Sequence, residues 1–128
     1  MTPRTESELI DQLRAKPDSL RIRAAKELAL IGGAAAVPAL REALVTEHPL
    51  LRVMAGFALW RIARDREGLD AVLDALASAS PDASVGAVYA LGAMGAEIIP
   101  VLEAFLVQAP ERRDIARILE ELRHEAAH

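Results

Sequence analysis

Carboxylates at helical spacing are the residues of this 128-residue chain whose arrangement most resembles a site for chemistry. Asp70 and Asp74 are four residues apart, which places both on one face of a helix. Two carboxylates close to a substrate can act as general acid and general base. Glu42 and Glu103 occupy related positions in neighbouring segments. Because acids at this spacing more often form a solvated surface, we expect an acidic strip that binds a basic partner or aids solubility, and no catalytic residue.

Metal and cofactor chemistry finds little support in the residue types. His48 is predicted to lie in a turn, and His124 and His128 fall in the last five residues. The absence of cysteine removes thiolate nucleophiles, disulfides and Cys-based zinc sites. Gly92 and Gly95 lack the preceding strand and the following Lys-Ser/Thr of a phosphate-binding loop. We therefore expect no catalytic residue, no metal site and no cofactor.

Basic residues recur in the first two of three similar segments. Arg21 and Arg52 hold equivalent positions, and further cations follow nearby: Arg23, Lys26, Arg61, Arg64 and Arg66. A ridge of such residues would bind phosphates, so nucleic-acid binding through these helices is an alternative function. The third segment has Ser84 instead, and the net charge is −4, which argues against it. The simpler alternative is that Arg21 and Arg52 link adjacent repeats by pairing with an acid in the preceding turn.

The second and third segments carry apolar residues at positions that are basic in the first segment. Met54 replaces Arg23 of the first segment, and Phe57 and Tyr89 replace Lys26. These positions are predicted to face outward or lie at a rim, and exposed aromatic residues mark interaction sites. The alternative is that they pack between repeats as core. An exposed patch would bind a partner and would also allow a homodimer.

The elements that position these residues form an internal repeat. Segments 20–31, 51–62 and 83–94 share apolar residues at spacings of four, four and three, which is one face of a helix. The shared positions are Leu20, Ala24, Leu28 and Ile31, then Leu51, Ala55, Leu59 and Ile62, then Ala83, Ala87, Leu91 and Met94. A second apolar helix follows each segment, so each unit is a hairpin of helix A and helix B.

The boundaries follow from prolines before helices and glycines after them. We predict a single domain, 1–128, with an N-terminal cap helix at 5–16 and a C-terminal cap helix at 110–126. Between them lie three repeats, at 17–48, 49–80 and 81–109. The fold class is all-α, a short right-handed α-solenoid of about three helical hairpins with a capping helix at each end. We expect the B helices to line its concave face, and the polar end helices predict a complete domain.

Four segments carry a family resemblance: LRIRAAKELALIGG, LRVMAGFALWRIA, AVPALREAL and IIPVLEAFL. They resemble the HEAT-like repeat of the phycobilisome-lyase type, over about residues 17–109. The resemblance implies a HEAT-like fold, and family members serve as scaffolds, regulatory subunits and chromophore-lyase components. No chromophore-handling residues carry over, so the implied alternative is a non-catalytic subunit of a lyase-type complex.

Composition agrees with a folded helical protein, since 52% of residues are apolar and 27% are charged. No signal peptide and no apolar run of membrane-spanning length is present, so we expect a cytoplasmic protein. The predicted function is a non-enzymatic protein–protein interaction module, a small adaptor, regulator or scaffold that binds a partner protein or peptide. The candidate contact residues are Glu42, Asp70, Asp74 and Glu103, followed by Met54, Phe57 and Tyr89.

Overall fold

A computed structural model describes residues 5–127, and in that range the chain folds into eight α-helices without a strand. The helices are α1 (Glu6–Leu13), α2 (Asp18–Ile31), α3 (Val37–Ala43), α4 (Pro49–Ala63), α5 (Arg66–Ala75), α6 (Pro81–Met94), α7 (Ile99–Gln108) and α8 (Arg113–Ala126). Short 3-10 turns, Ala34–Ala36 and Ala96–Ile98, lead into α3 and α7. The all-α prediction is therefore confirmed.

The helices stack in two layers. In the first layer α4 packs between α2 and α6, and α8 follows α6. In the second layer α1 lies beside α3, while α3 and α5 both pack against α4. The A helices of the three repeats are thus α2, α4 and α6, and their B helices are α3, α5 and α7. This arrangement is a HEAT-like solenoid, as predicted, and its right-handedness stays a prediction.

The core consists of the apolar positions that recur in each repeat. Fully buried members include Ala24, Leu28, Leu51, Ala55, Leu59, Ala83, Ala87 and Leu91 from the A helices, and Leu40, Leu69, Val72 and Leu102 from the B helices. The prediction is wrong for Ile31, whose surface is 58% exposed. Ile31 is the last residue of α2, where no following turn of the helix covers it.

Two glycines bring α4 and α5 into backbone contact. A Cβ atom on Gly56 would lie 2.5 Å from the carbonyl oxygen of Gly68, and one on Gly68 would lie 2.5 Å from that of Gly56. Side chains do not tolerate such distances, so only glycine at both positions allows this approach. The cost of glycine inside a helix is thereby offset by close packing.

The helix ends follow the predicted signals in part. Thr5 caps α1 by accepting a hydrogen bond from the Glu8 backbone at 3.2 Å. Gly32 follows α2, as glycines after helices were predicted to do, but its φ of −70° is not left-handed, whereas Gly95 has φ +87°. The left-handed residue after α4 is Arg64, at φ 52°. Its guanidinium donates to the Trp60 carbonyl oxygen at 3.0 Å, which helps to hold this conformation.

Candidate partner-binding surfaces

The predicted acidic strip on the B helices is largely balanced by arginine. Three of its four carboxylates form ion pairs within the chain, namely Glu42 with Arg14 (2.8 Å), Asp70 with Arg66 (2.9 Å) and Glu103 with Arg123 (2.6 Å). All six side chains are about half exposed or more. The surface therefore alternates in charge, which reduces its attraction for a basic partner.

The fourth carboxylate, Asp74, is exposed and lines a cleft of about 280 Å³ between α4, α5 and the residue that follows α3. Leu44, Pro49 and Arg52 line the same cleft. Asp74 is the only carboxylate among the lining residues, so the cleft lacks the second acid that a general acid–base pair requires. The cleft thus supports contact with a partner more than it supports catalysis.

The recurring arginines donate to backbone carbonyls that precede their own helices. Arg21 Nε donates to the Leu13 carbonyl oxygen at 2.8 Å, and Arg52 Nη1 donates to that of Thr46 at 2.7 Å. Leu13 is the last residue of α1, where carbonyls lack partners within the helix and carry partial negative charge, whereas Thr46 lies in the turn after α3. Both arginines therefore contact the preceding segment, but their acceptors are backbone carbonyls and not the predicted acid in the preceding turn. Arg21 additionally pairs with Asp18 at 3.1 Å, within its own helix.

A third arginine, which lies outside the repeats, also donates to a backbone carbonyl. Ser84 is the repeat equivalent of Arg21 and cannot donate as a guanidinium does. The carbonyl oxygen eight residues before it, that of Leu76 at the end of α5, instead accepts from Arg112 Nη1 at 3.1 Å. Sequence comparison of the repeats missed Arg112 because it precedes α8 and lies outside the repeat register. The sequence did carry one signal, since Ser84 stands where the first two repeats have arginine.

Asp114 holds the Arg112 side chain in place. Arg112 donates through Nε to Asp114 Oδ1 at 3.1 Å and through Nη2 to Asp114 Oδ2 at 2.9 Å. These hydrogen bonds lower the pKa of Asp114 below its ordinary value, and the backbone amide of Ile115 lowers it further. The pair fixes the start of α8 against the end of α5.

The aromatic residues divide between core and surface. Met54 and Phe57 are buried, at 3% and 4% exposure, whereas Tyr89 is 59% exposed. The Phe57 and Tyr89 rings meet edge to face, with centroids 6.2 Å apart, and Lys26 Nζ lies 6.0 Å from the Tyr89 centroid. Side chains of α2 and α6 therefore meet over the outer surface of α4. Met54 and Phe57 are buried for this reason, although their positions in the repeat predicted a place outside or at the rim.

A groove results beside α2, with Phe57 at its floor and Tyr89 at its rim, and we call it the α2–α6 groove. Its volume is about 360 Å³, and its α2 residues are Ser19, Ile22, Arg23, Lys26, Glu27 and Leu30. Leu30 is 73% exposed, so large apolar side chains from both α2 and α6 border the groove. The groove lies in the layer of A helices. The first candidate binding surface was instead the layer of B helices, which were expected to line the concave face.

One histidine, His48, has a structural role. His48 caps α4 by accepting a hydrogen bond from the Leu51 backbone at its Nδ1 atom, at 3.4 Å. His124 lies in α8, and His128 lies outside the described residues. Within residues 5–127, no three His, Asp or Glu side chains are grouped as a metal site would require.

Helix length and composition over residues 5–127 bear on whether the chain could cross a membrane. No single helix there is long and apolar enough to cross a membrane. One helix pair, Pro81–Met94 with Ala96–Gln108, meets the length and composition test together, but it bends by 107° at the break.

Comparison with known families agrees with this geometry. The family model described as HEAT repeats matches residues 6–62, and that described as PBS lyase HEAT-like repeat matches residues 85–108. A search of curated proteins gave no significant match. The chain is a HEAT-like repeat protein, which confirms the resemblance in its sequence. HEAT repeats commonly mediate protein–protein interaction, and such families are generally non-catalytic scaffolds.

Proposed function

We propose that this protein is a non-enzymatic interaction module that binds a segment of a partner protein in the α2–α6 groove. One observation carries the proposal: Leu30 and Tyr89, 73% and 59% exposed, border the same groove above the buried ring of Phe57. Grouped apolar side chains of this size, exposed to water, are typical of interaction sites. Tyrosine in particular supplies large contact area at a small cost in side-chain entropy.

The surroundings of the groove favour recognition with little change of shape. Its floor belongs to α4, whose neighbouring side chains Val53, Met54 and Ala58 are at most 3% exposed. Close packing of this kind keeps a surface rigid before binding, which lowers the entropic cost of association. The partner would therefore adapt to the groove.

The carboxylates of the B helices support the proposal less strongly than the groove does. Binding through Glu42, Asp70 or Glu103 would have to compete with an arginine already paired to each of them. Two arginines of the ridge that a nucleic acid would need are engaged too, since Arg21 and Arg52 donate to backbone carbonyls. We therefore place the binding site on the A-helix layer.

Affinity capture from native cell extract with matched variants tests the proposal. The groove variant is Leu30→Ser with Tyr89→Ser. The control variant is Val45→Ser with Val107→Ser, which removes two apolar side chains that are 85% and 75% exposed elsewhere. A partner retained by wild type and control should fall by about tenfold or more with the groove variant. Retention by all three proteins would refute the groove as the binding site.

A further inference from the structure

The charges along the α2–α6 groove differ in sign from the protein as a whole. Arg23 and Lys26 lie three residues apart on the exposed face of α2, and Glu27 is the single carboxylate in the lining. The groove thus carries a local positive excess in a chain whose net charge is −4.

These two cations also differ from most others in the chain. Eight of its basic side chains form ion pairs within residues 5–127, but neither Arg23 nor Lys26 does so. The contact of Lys26 is with the ring of Tyr89, at 6.0 Å. Both cations therefore remain available to a ligand, and both border the same exposed apolar residues that carry the proposed function.

We infer that the occupant of the α2–α6 groove is an acidic segment of a partner protein with one large apolar side chain. The inference rests on the proposed function and specifies the chemistry of the partner. The apolar side chain would pack in the groove between Leu30 and Tyr89, above Phe57. A carboxylate beside it in the partner would pair with Arg23 and Lys26, at one end of the same α2 face.

The two parts of the site have separate roles. The apolar part supplies affinity, because removing apolar surface from water is favourable by about 25 cal/mol per Å². The cations supply selectivity, since they attract an acidic segment to this groove in a protein whose net charge is −4. Two exposed cations are few for a nucleic acid, whose binding usually involves several phosphate contacts.

Labelled peptides of defined composition test the inference directly. Three peptides would share one central Phe and differ only in flanking residues, which are Glu, Gln or Lys. Fluorescence anisotropy with the full chain should show the Glu peptide binding about three- to tenfold more tightly than the Gln peptide, because each exposed ion pair contributes a small factor. The preference should shrink at about 1 M salt, where the Debye length is about 3 Å.

Paired charge variants make the result specific to the groove. Arg23→Gln with Lys26→Gln should remove the preference for the Glu peptide over the Gln peptide. Arg14→Gln with Arg66→Gln changes net charge equally on the other layer and should keep the preference. The inference is overturned by equal binding of the three peptides, by absence of binding, or by a preference that survives the loss of Arg23 and Lys26.

The outcomes separate this inference from the proposed function. If the Gln peptide binds as well as the Glu peptide, and Tyr89→Ser weakens both, the groove binds partners but does not select acidic ones. If sedimentation velocity shows a dimer that Tyr89→Ser dissociates, the occupant is a second copy of this chain, and the acidic partner is excluded. Nucleic acid that competes with the Glu peptide, in a manner dependent on Arg23, would likewise overturn the inference.

Discussion

Replacement of Arg112 by alanine should destabilise the protein measurably, although Arg112 lies outside the repeats. The change removes the hydrogen bond to the Leu76 carbonyl oxygen and both bonds to Asp114. A hydrogen bond that involves a charged group contributes about 1.5–3 kcal/mol, and the Arg112 side chain is only 25% exposed. The pair with Asp114 adds little, because the carboxylate is 37% exposed. We therefore expect a loss of about 1–2 kcal/mol in the free energy of unfolding.

Urea unfolding followed by circular dichroism would measure this loss, with Arg113→Ala as the matched control. Arg113 is the adjacent residue, is exposed, and forms no ion pair within the described residues. The control should change the free energy of unfolding by less than about 0.5 kcal/mol.

A second substitution tests the reason for the loss. Arg21 reaches a carbonyl eight residues before it, and the residue eight before Ser84 is Leu76. Ser84→Arg should therefore restore about 1 kcal/mol in the Arg112→Ala background and add less to wild type, where Arg112 already occupies the carbonyl. If Arg112→Ala matches Arg113→Ala in stability, or if Ser84→Arg adds equally in both backgrounds, our account of Arg112 is incorrect.

Other substitutions test the packing and the charges. Phe57→Ala should cost about 3–5 kcal/mol in the free energy of unfolding, because Phe57 is 4% exposed; a cost below about 1 kcal/mol in urea unfolding would place the ring outside the core. Gly56→Ala should lower the thermal midpoint, since its Cβ would lie 2.5 Å from the Gly68 carbonyl oxygen. Gly92→Ala, where the Cβ meets no atom within 4 Å, should raise it by gaining up to about 1 kcal/mol of helix propensity; the opposite order would contradict the close backbone approach. Because the folded-state pKa of Asp114 is lowered, its stabilisation is present above the unfolded value near 3.9 and is lost as pH falls below it. The stability difference between wild type and Asp114→Asn should therefore shrink on acidification, and a constant difference in urea unfolding across pH would exclude the ion pair as its source.

Most of the fold could be predicted because the repeat places its signals at fixed spacing. Pro49 and Pro81 begin α4 and α6, as a residue without an amide hydrogen can at a first turn. Ala55 and Ala87 are buried at the position where all three repeats carry alanine. Local propensity, apolar spacing and helix ends agree at these residues, and such agreement makes a sequence predictable.

The candidate site was less predictable because it depends on how repeats meet. Met54 and Phe57 take outward or rim positions in their own helix, and only the approach of α2 and α6 buries them. The sequence did not indicate Leu30 as a site residue, because an isolated exposed leucine is ordinary on any surface. Its significance comes from Tyr89, which lies 59 residues later in the chain and borders the same groove.

The central position of α4 has a consequence for cooperativity. This helix packs against α2, α3, α5 and α6, and its backbone meets that of α5 at Gly56 and Gly68. Repeat proteins can unfold from their ends, one repeat at a time, when each contacts only its neighbours. Here the loss of α4 would uncover the apolar faces of four helices at once. We therefore expect the amides of α4 to exchange with solvent only through global unfolding, in one transition shared by the whole domain.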